Sequence, residues 1–301
     1  MNTALECIPC FVRQAAEAVE MCAVENPRRE RLLRRLLHEI ADADWAVMPV
    51  VIAQRVQRII RAETGVLDPY RALKDSMNRI ALDLLPALIE TVRRHAHPHE
   101  AVVRLAIAGN LLDAGSKTRL MPEDLPARLN SLWTVPLVGD AEALFDAAQA
   151  ADSILYLADN AGEIVFDRLL IEALPTRKIT VAVRGAPVIN DATLADAETA
   201  GIPQIARVIA NGSDAPGTMV AECSEEFRGR FNRADLIIAK GQGNYETLSD
   251  THKNIFFLLT IKCPMIALDI GASVGAMVIC ERNRTLGGEI CLPVTRTSAN
   301  N

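Results

Sequence analysis

The stretch SILYLADNAGEIVFDRLLIEAL, residues 153–174, decides how the chain folds. It begins with β-prone apolar residues and breaks at Asp159-Asn160-Ala161-Gly162-Glu163. It then resumes with apolar residues three and four apart, the period of a helix. Strand, polar break and helix in succession form half of a βαβ unit. Further short apolar runs follow: ITVAVR (179–184), PQIARVI (203–209), ADLIIA (234–239), NIFFLLT (254–260) and AMVIC (276–280). Most are continuous rather than alternating, as in strands buried on both faces, so an α/β fold with a mostly parallel sheet is expected.

Upstream of this region the texture is helical. ERLLRRLLHEIADADWAVMPVVIAQRVQRII and RALKDSMNRIALDLLPALIETVRRHA are amphipathic, and Asp68-Pro69-Tyr70 carries an N-cap acid followed by proline. Pro86 is a potential kink, and HEAVVRLAIAGNLLDAG reads as a helix closed by Gly115. The chain therefore divides into a helical part, 1–118, and an α/β part, 119–301, with DAEALFDAAQA as a helix near the junction.

Bulk composition narrows the classes. The formal charge of −6 over 301 residues is the wrong sign for a general nucleic-acid footprint. No apolar run approaches the roughly 20 residues that span a bilayer, and the first residues lack a signal-peptide pattern. A cytoplasmic protein that engages neither nucleic acid nor membrane is expected. Of seven cysteines, only Cys7 and Cys10 have close metal-ligand or redox spacing, and no second close pair completes a zinc site. His95, His97 and His99 fall around Pro98 and read as a solvated turn.

The ends of the strands hold the chemistry. Asp159-Asn160 follows the first, Asn190-Asp191 comes soon after the second, and NGSDAPGT (211–218) follows the third. Lys240-Gly241-Gln242-Gly243-Asn244 follows the fourth, and Lys262 the fifth. In an open parallel sheet these carboxyl ends share one rim, where ligands bind. Asp159, Asn160 and Asp191 offer oxygen donors only, suited to one hard divalent cation. Lys240 and Lys262 add positive charge, and Gly241 and Gly243 let backbone N–H groups approach a phosphate. No Walker-type loop, dinucleotide fingerprint or serine nucleophile elbow is present.

ECIPC, DPYRALKDSMNR, RLAIAGNLLDAG, LADNAGEIVFDR, VRGAPVINDAT, NGSDAPGT, KGQGNYETL and LLTIKCP together resemble the metal-dependent damage-control phosphatases, also described as acidic-residue-methyltransferase-like. The resemblance runs from residue 6 to about 265. It implies a helical N-terminal part packed on a three-layer α/β/α domain. It also implies one divalent cation (Mn, Mg, Co or Ni) on Asp159, Asn160 and Asp191. Asn190, Lys240, Gly241, Asn244 and Lys262 would bind the phosphate of a small phosphorylated metabolite. Asp159 and Asp191 are the expected catalytic residues of phosphomonoester hydrolysis. The nucleophile is water or Asp159, and the base Asp191 or Glu163. Gln242 and Gly243 depart from the usual family residues and bear on substrate identity. The alternative function is a Mg-dependent phosphometabolite-binding protein without turnover.

Overall fold

The computed structural model describes residues 1–109 and 132–282. Helices α1 (Ile8–Met21), α2 (Asn26–Ala41) and α3 (Pro49–Thr64) close on one another through Phe11, Ala15, Leu36, Ile52, Val56 and Ile60. Each has proline in its first turn, where the missing N–H costs no hydrogen bond. Gly65, at φ 74°, ends α3 in the left-handed conformation.

Helix α4 (Arg71–Arg94) starts two residues after the expected Pro69. Asp68 instead accepts from Tyr70 N at 3.1 Å, and Pro86 lies inside the helix. Helix α5 (Pro98–Ala108) follows; Gly115, its expected terminator, lies outside the described residues. The expected solvated histidine turn is only partly so: His97 is exposed, whereas His95 and His99 are half-buried and His99 lies within α5, stacked on Phe145.

The α/β part contains β1 (Leu137–Val138), α6 (Ala141–Ala150), β2 (Ile154–Leu157), α7 (Glu163–Ala173) and β3 (Ile179–Val183). It continues through α8 (Leu194–Thr199), β4 (Arg207–Ala210), α9 (Glu225–Arg233) and β5 (Leu236–Lys240). The last described elements are α10 (Gly241–Leu248), β6 (Ile255–Thr260), α11 (Pro264–Ile270) and β7 (Met277–Arg282). The sheet order is β1-β7-β6-β5-β2-β3-β4, parallel except for the β6–β7 pair. The expected strand at 203–209 begins only at Arg207, because Ile202–Gln204 form a 3₁₀ turn around Pro203. The two-residue β1 is too short to show as an apolar run.

Alternation along the strands builds two cores. Ile154, Tyr156, Val181, Leu236 and Ile238 face α4, α5 and α7, whereas Leu155, Leu157, Ile237 and Phe257 face α9, α10 and α11. The result is the three-layer arrangement with the helical part against it. Helices α4 and α5, N-terminal to residue 118, share the sheet's core. The chain runs β2-β3-β4 toward one edge, then returns to β5 on the other side of β2. That reversal leaves a crevice at the carboxyl ends of β2 and β5, the usual ligand position in an open α/β sheet.

Candidate active site

Three loops meet at this crevice. After β2, Asp159 and Asn160 lead into α7 through Gly162, whose φ of 75° and close approach to Met77 suit glycine. After β3, the chain turns at Ile189, a β-branched residue at φ 45°, which packs on the core of α1–α3. This strained turn delivers Asn190 and Asp191. The two loops are zipped together: Asn160 and Asp191 form an antiparallel bridge, Ala192 N donates to Asp159 O at 2.7 Å, and Ala161 N donates to Asn190 O at 2.9 Å. The third loop opens α10 at Gly241, with φ 78°.

Gly241 has no room for a side chain. A Cβ there would lie 1.9 Å from Asp159 Oδ2, so the carboxylate rests directly over the first turn of α10. We expect Gly241→Ala to fold with a lowered melting temperature, because the carboxylate can swing aside but alanine is strained at this positive φ, and to bind divalent metal and turn over substrate much more weakly than wild type. Isothermal titration with Mn²⁺ beside a thermal melt checks this; unchanged metal binding would show that the Asp159 position is not needed.

The sequence reading missed Arg184, the last residue of ITVAVR. It is buried, its Nε donates to Asp191 Oδ2 at 2.6 Å, and its Nη2 lies 3.7 Å from Asp159 Oδ1. Nη1 donates to Gly217 O at 2.9 Å and Asn244 Oδ1 at 3.2 Å. One guanidinium thus ties both acidic loops to α10. The available signal was an arginine ending an apolar strand, a position that demands a buried partner.

Two buried carboxylates this close repel. Burial first, then Asp191 and Glu163, push the Asp159 carboxyl well above its ordinary range, against the pull of Arg184 and Lys262. A divalent cation would relieve that repulsion, and Asp159, Asp191 and the Asn160 amide form an all-oxygen set of the kind such cations take. This chemistry fits a metal, although among the described residues no three His, Cys, Asp or Glu side chains form a metal-binding group.

The expected phosphate ligands separate into two groups. Lys262 and Asn190 line a cleft of about 290 Å³ together with Asp159, Asn160 and Asp191. Its opposite wall comes from the helical part and includes Cys7, Cys10, Phe11, Arg13 and Tyr70. Lys240 and Asn244 are instead interior. The Lys240 ammonium is fully buried and donates to Glu163 Oε1 at 2.5 Å, Asp167 Oδ1 at 2.6 Å and Ala106 O at 2.6 Å. All three N–H donors are spent, so the expected Lys240–phosphate contact is replaced by a buried ion-pair cluster. Burial alone would depress this ammonium, but Asp167 and Glu163 hold it above the usual lysine range. Asn244 donates to Lys240 O at 2.8 Å and accepts from Thr218 Oγ1 at 2.8 Å, bracing the turn into α10.

Behind Gly162 lies a second support. Asn78 Oδ1 accepts from Gly162 N at 2.7 Å, and Asn78 Nδ2 donates to Asp196 Oδ1 at 3.0 Å. Asp196 also meets the fully buried Lys74 Nζ at 3.0 Å. The motif DPYRALKDSMNR therefore acts on the site from beneath, by fixing the turn after Asn160.

Residues 3–278 match the damage-control phosphatase ARMT1-like domain. The chain belongs to that family. An uncharacterized protein of Methanocaldococcus jannaschii is 36% identical to it, over 92% of this chain and 94% of the relative. A damage-control phosphatase of Pyrococcus horikoshii is 34% identical, over 94% of this chain and 99% of the relative. The crystal structure of a DUF89 family protein from the same organism superposes with a TM-score of 0.83 at 33% identity, covering 94% of this chain and all of that one. The helical N-terminal part and the mostly parallel sheet are those of this ARMT1-like family.

Proposed function

We propose that this protein is a divalent-metal-dependent phosphatase acting on small phosphate esters, such as sugar phosphates or damaged phosphometabolites. The observation that carries the reading is the Asp159–Asn160–Asp191 oxygen set, zipped together at the switch point of the sheet and facing a cleft that also holds Lys262. Family membership supports the phosphatase chemistry.

Asp159, Asn160 and Asp191 would hold the cation, whose contribution when bound is to neutralise charge on the phosphoryl oxygens. Lys262 supplies a second positive charge at the cleft, and α7 and α10 begin at the same rim, so the positive ends of their dipoles lie there. Arg184 keeps the Asp191 carboxylate in one orientation. Glu163 is engaged by Lys240, which leaves Asp159 and Asp191 as the carboxylates that the strand-end loops present to the cleft, where Glu6, Glu17 and Glu246 also line the walls. Phe11 and Tyr70 form an apolar wall that limits water around the ester.

The test is release of inorganic phosphate from a panel of phosphate esters by protein stripped with chelator and resupplied with Mn²⁺, Mg²⁺, Co²⁺ or Ni²⁺. Turnover that requires one of these ions is expected. Equal turnover after stripping would reject metal dependence. Tight ester binding without turnover would make the protein a metal-dependent binding protein instead.

A further inference from the structure

The opposite rim of the sheet carries a second concavity. A groove of about 320 Å³ lies at the amino ends of β2 and β3, floored by Ile154, Leu155 and Thr180. Five cationic side chains line it, Arg177, Lys178, Arg207, Arg230 and Arg233, against one acid, Asp152. In a chain of net charge −6 this is a local reversal of sign.

Part of that charge has a structural explanation. Helix C-termini arrive at this rim, and cations there complement their exposed carbonyls. Lys178 Nζ does so, donating to Gln149 O at 3.0 Å and Ala151 O at 2.6 Å at the end of α6. Arg207 meets Glu226 at 3.0 Å. Arg230 is held in place by Thr180 Oγ1 at 3.2 Å and by a longer contact with Glu226 at 3.4 Å. Asp235, just outside the groove, is turned to Ser153, whose N and Oγ lie 2.9 and 2.8 Å from it.

Arg177 and Arg233 are different. Both are exposed, and among the described residues neither guanidinium has a carboxylate or carbonyl partner. Arg233 folds back over Gly229, where an added Cβ would lie 3.3 Å from its Nη2. A larger residue at 229 would push this guanidinium off the helix surface. Five cations against Asp152 and the two neighbouring acids Glu226 and Asp235 leave a formal surplus of two around one small concavity.

We propose that this groove binds a small polyanion carrying at least two phosphate groups, at a site separate from the Asp159 cleft. Guanidinium forks match phosphate oxygens bidentately. Exposed single pairs are weak in water, so one phosphate would gain little, whereas linked phosphates engage several forks at once. The ligand would not compete with substrate, because the two sites lie at opposite ends of the strands. The proposal does not depend on the phosphatase reading.

The experiment is calorimetric titration of the full chain with inorganic tripolyphosphate, in metal-free buffer at low ionic strength. It is run on wild type, on the double variant Arg177→Ala/Arg233→Ala and on Lys262→Ala. Both arginines are exposed, so the double variant should keep its fold, which circular dichroism checks. Binding by wild type and Lys262→Ala, weakening as salt rises, with a loss of about ten-fold or more in the double variant, is the expected result. No binding by wild type would overturn the proposal. So would equal binding by the double variant, or loss confined to Lys262→Ala, which would place the anion in the cleft.

Discussion

Asp191→Asn and Asp159→Asn are each expected to lower phosphate release by roughly 10³-fold, the scale on which single electrostatic groups act in a water-poor site. Each substitution removes one of only two charged donors from the oxygen set while keeping side-chain size. Metal affinity should fall with activity. The stability effect should have the opposite sign. Burial and Asp191 raise the Asp159 carboxyl, so its stabilising contribution is present at low pH and is lost as pH rises through the folded-state value. Above its ordinary titration range and without metal, the buried, repelled Asp159 carboxyl is a cost that Asn removes. Metal-free Asp159→Asn should therefore melt no lower than wild type. Calorimetry with Mn²⁺, steady-state kinetics and a melt in chelator measure all three. Near-native turnover with metal still bound would show that these residues are not the ligands.

Lys240→Met should act on the fold. Removing the ammonium leaves Glu163 and Asp167 buried together without a counter-charge, and breaking a buried pair in this way costs about 3–5 kcal/mol. Urea denaturation reads the loss directly. Adding Glu163→Gln and Asp167→Asn to Lys240→Met should recover part of it, because the three groups form one coupled cluster. A phosphate ligand would behave differently: its removal would leave the denaturation midpoint in place and raise KM. An unchanged midpoint for Lys240→Met would contradict the structural role.

The contrast between Lys240 and Lys262 shows where sequence reading stops. Both follow an apolar strand, so both were expected at the rim. Strand alternation could have separated them. Ile238 and Lys240 share a face, and Ile238 belongs to the core under α5 and α7. Glu163 and Asp167 sit four apart on α7, a spacing that puts two acids on one helical face, waiting for a cation. Read together, the two periodicities predict the Lys240 cluster. Read separately, Lys240 is simply a lysine at the end of a strand.

The strand–break–helix pattern at 153–174 and the succession of apolar runs after it determined the α/β class, because burial on both faces leaves no other use for such runs. They also marked the loops that would carry polar chemistry, since oxygen donors follow the strands at Asp159, Asn160 and Asp191. Only the tertiary structure decided which donors meet. The reversal of strand order between β4 and β5 sets Gly241 against Asp159, and the positive φ of Ile189 turns Asp191 to Asn160. Arg184 then finds both carboxylates within 4 Å. Local sequence encodes period and propensity, but the pairing of charges across loops far apart in the chain depends on strand order and side-chain direction, which exist only once the sheet has formed.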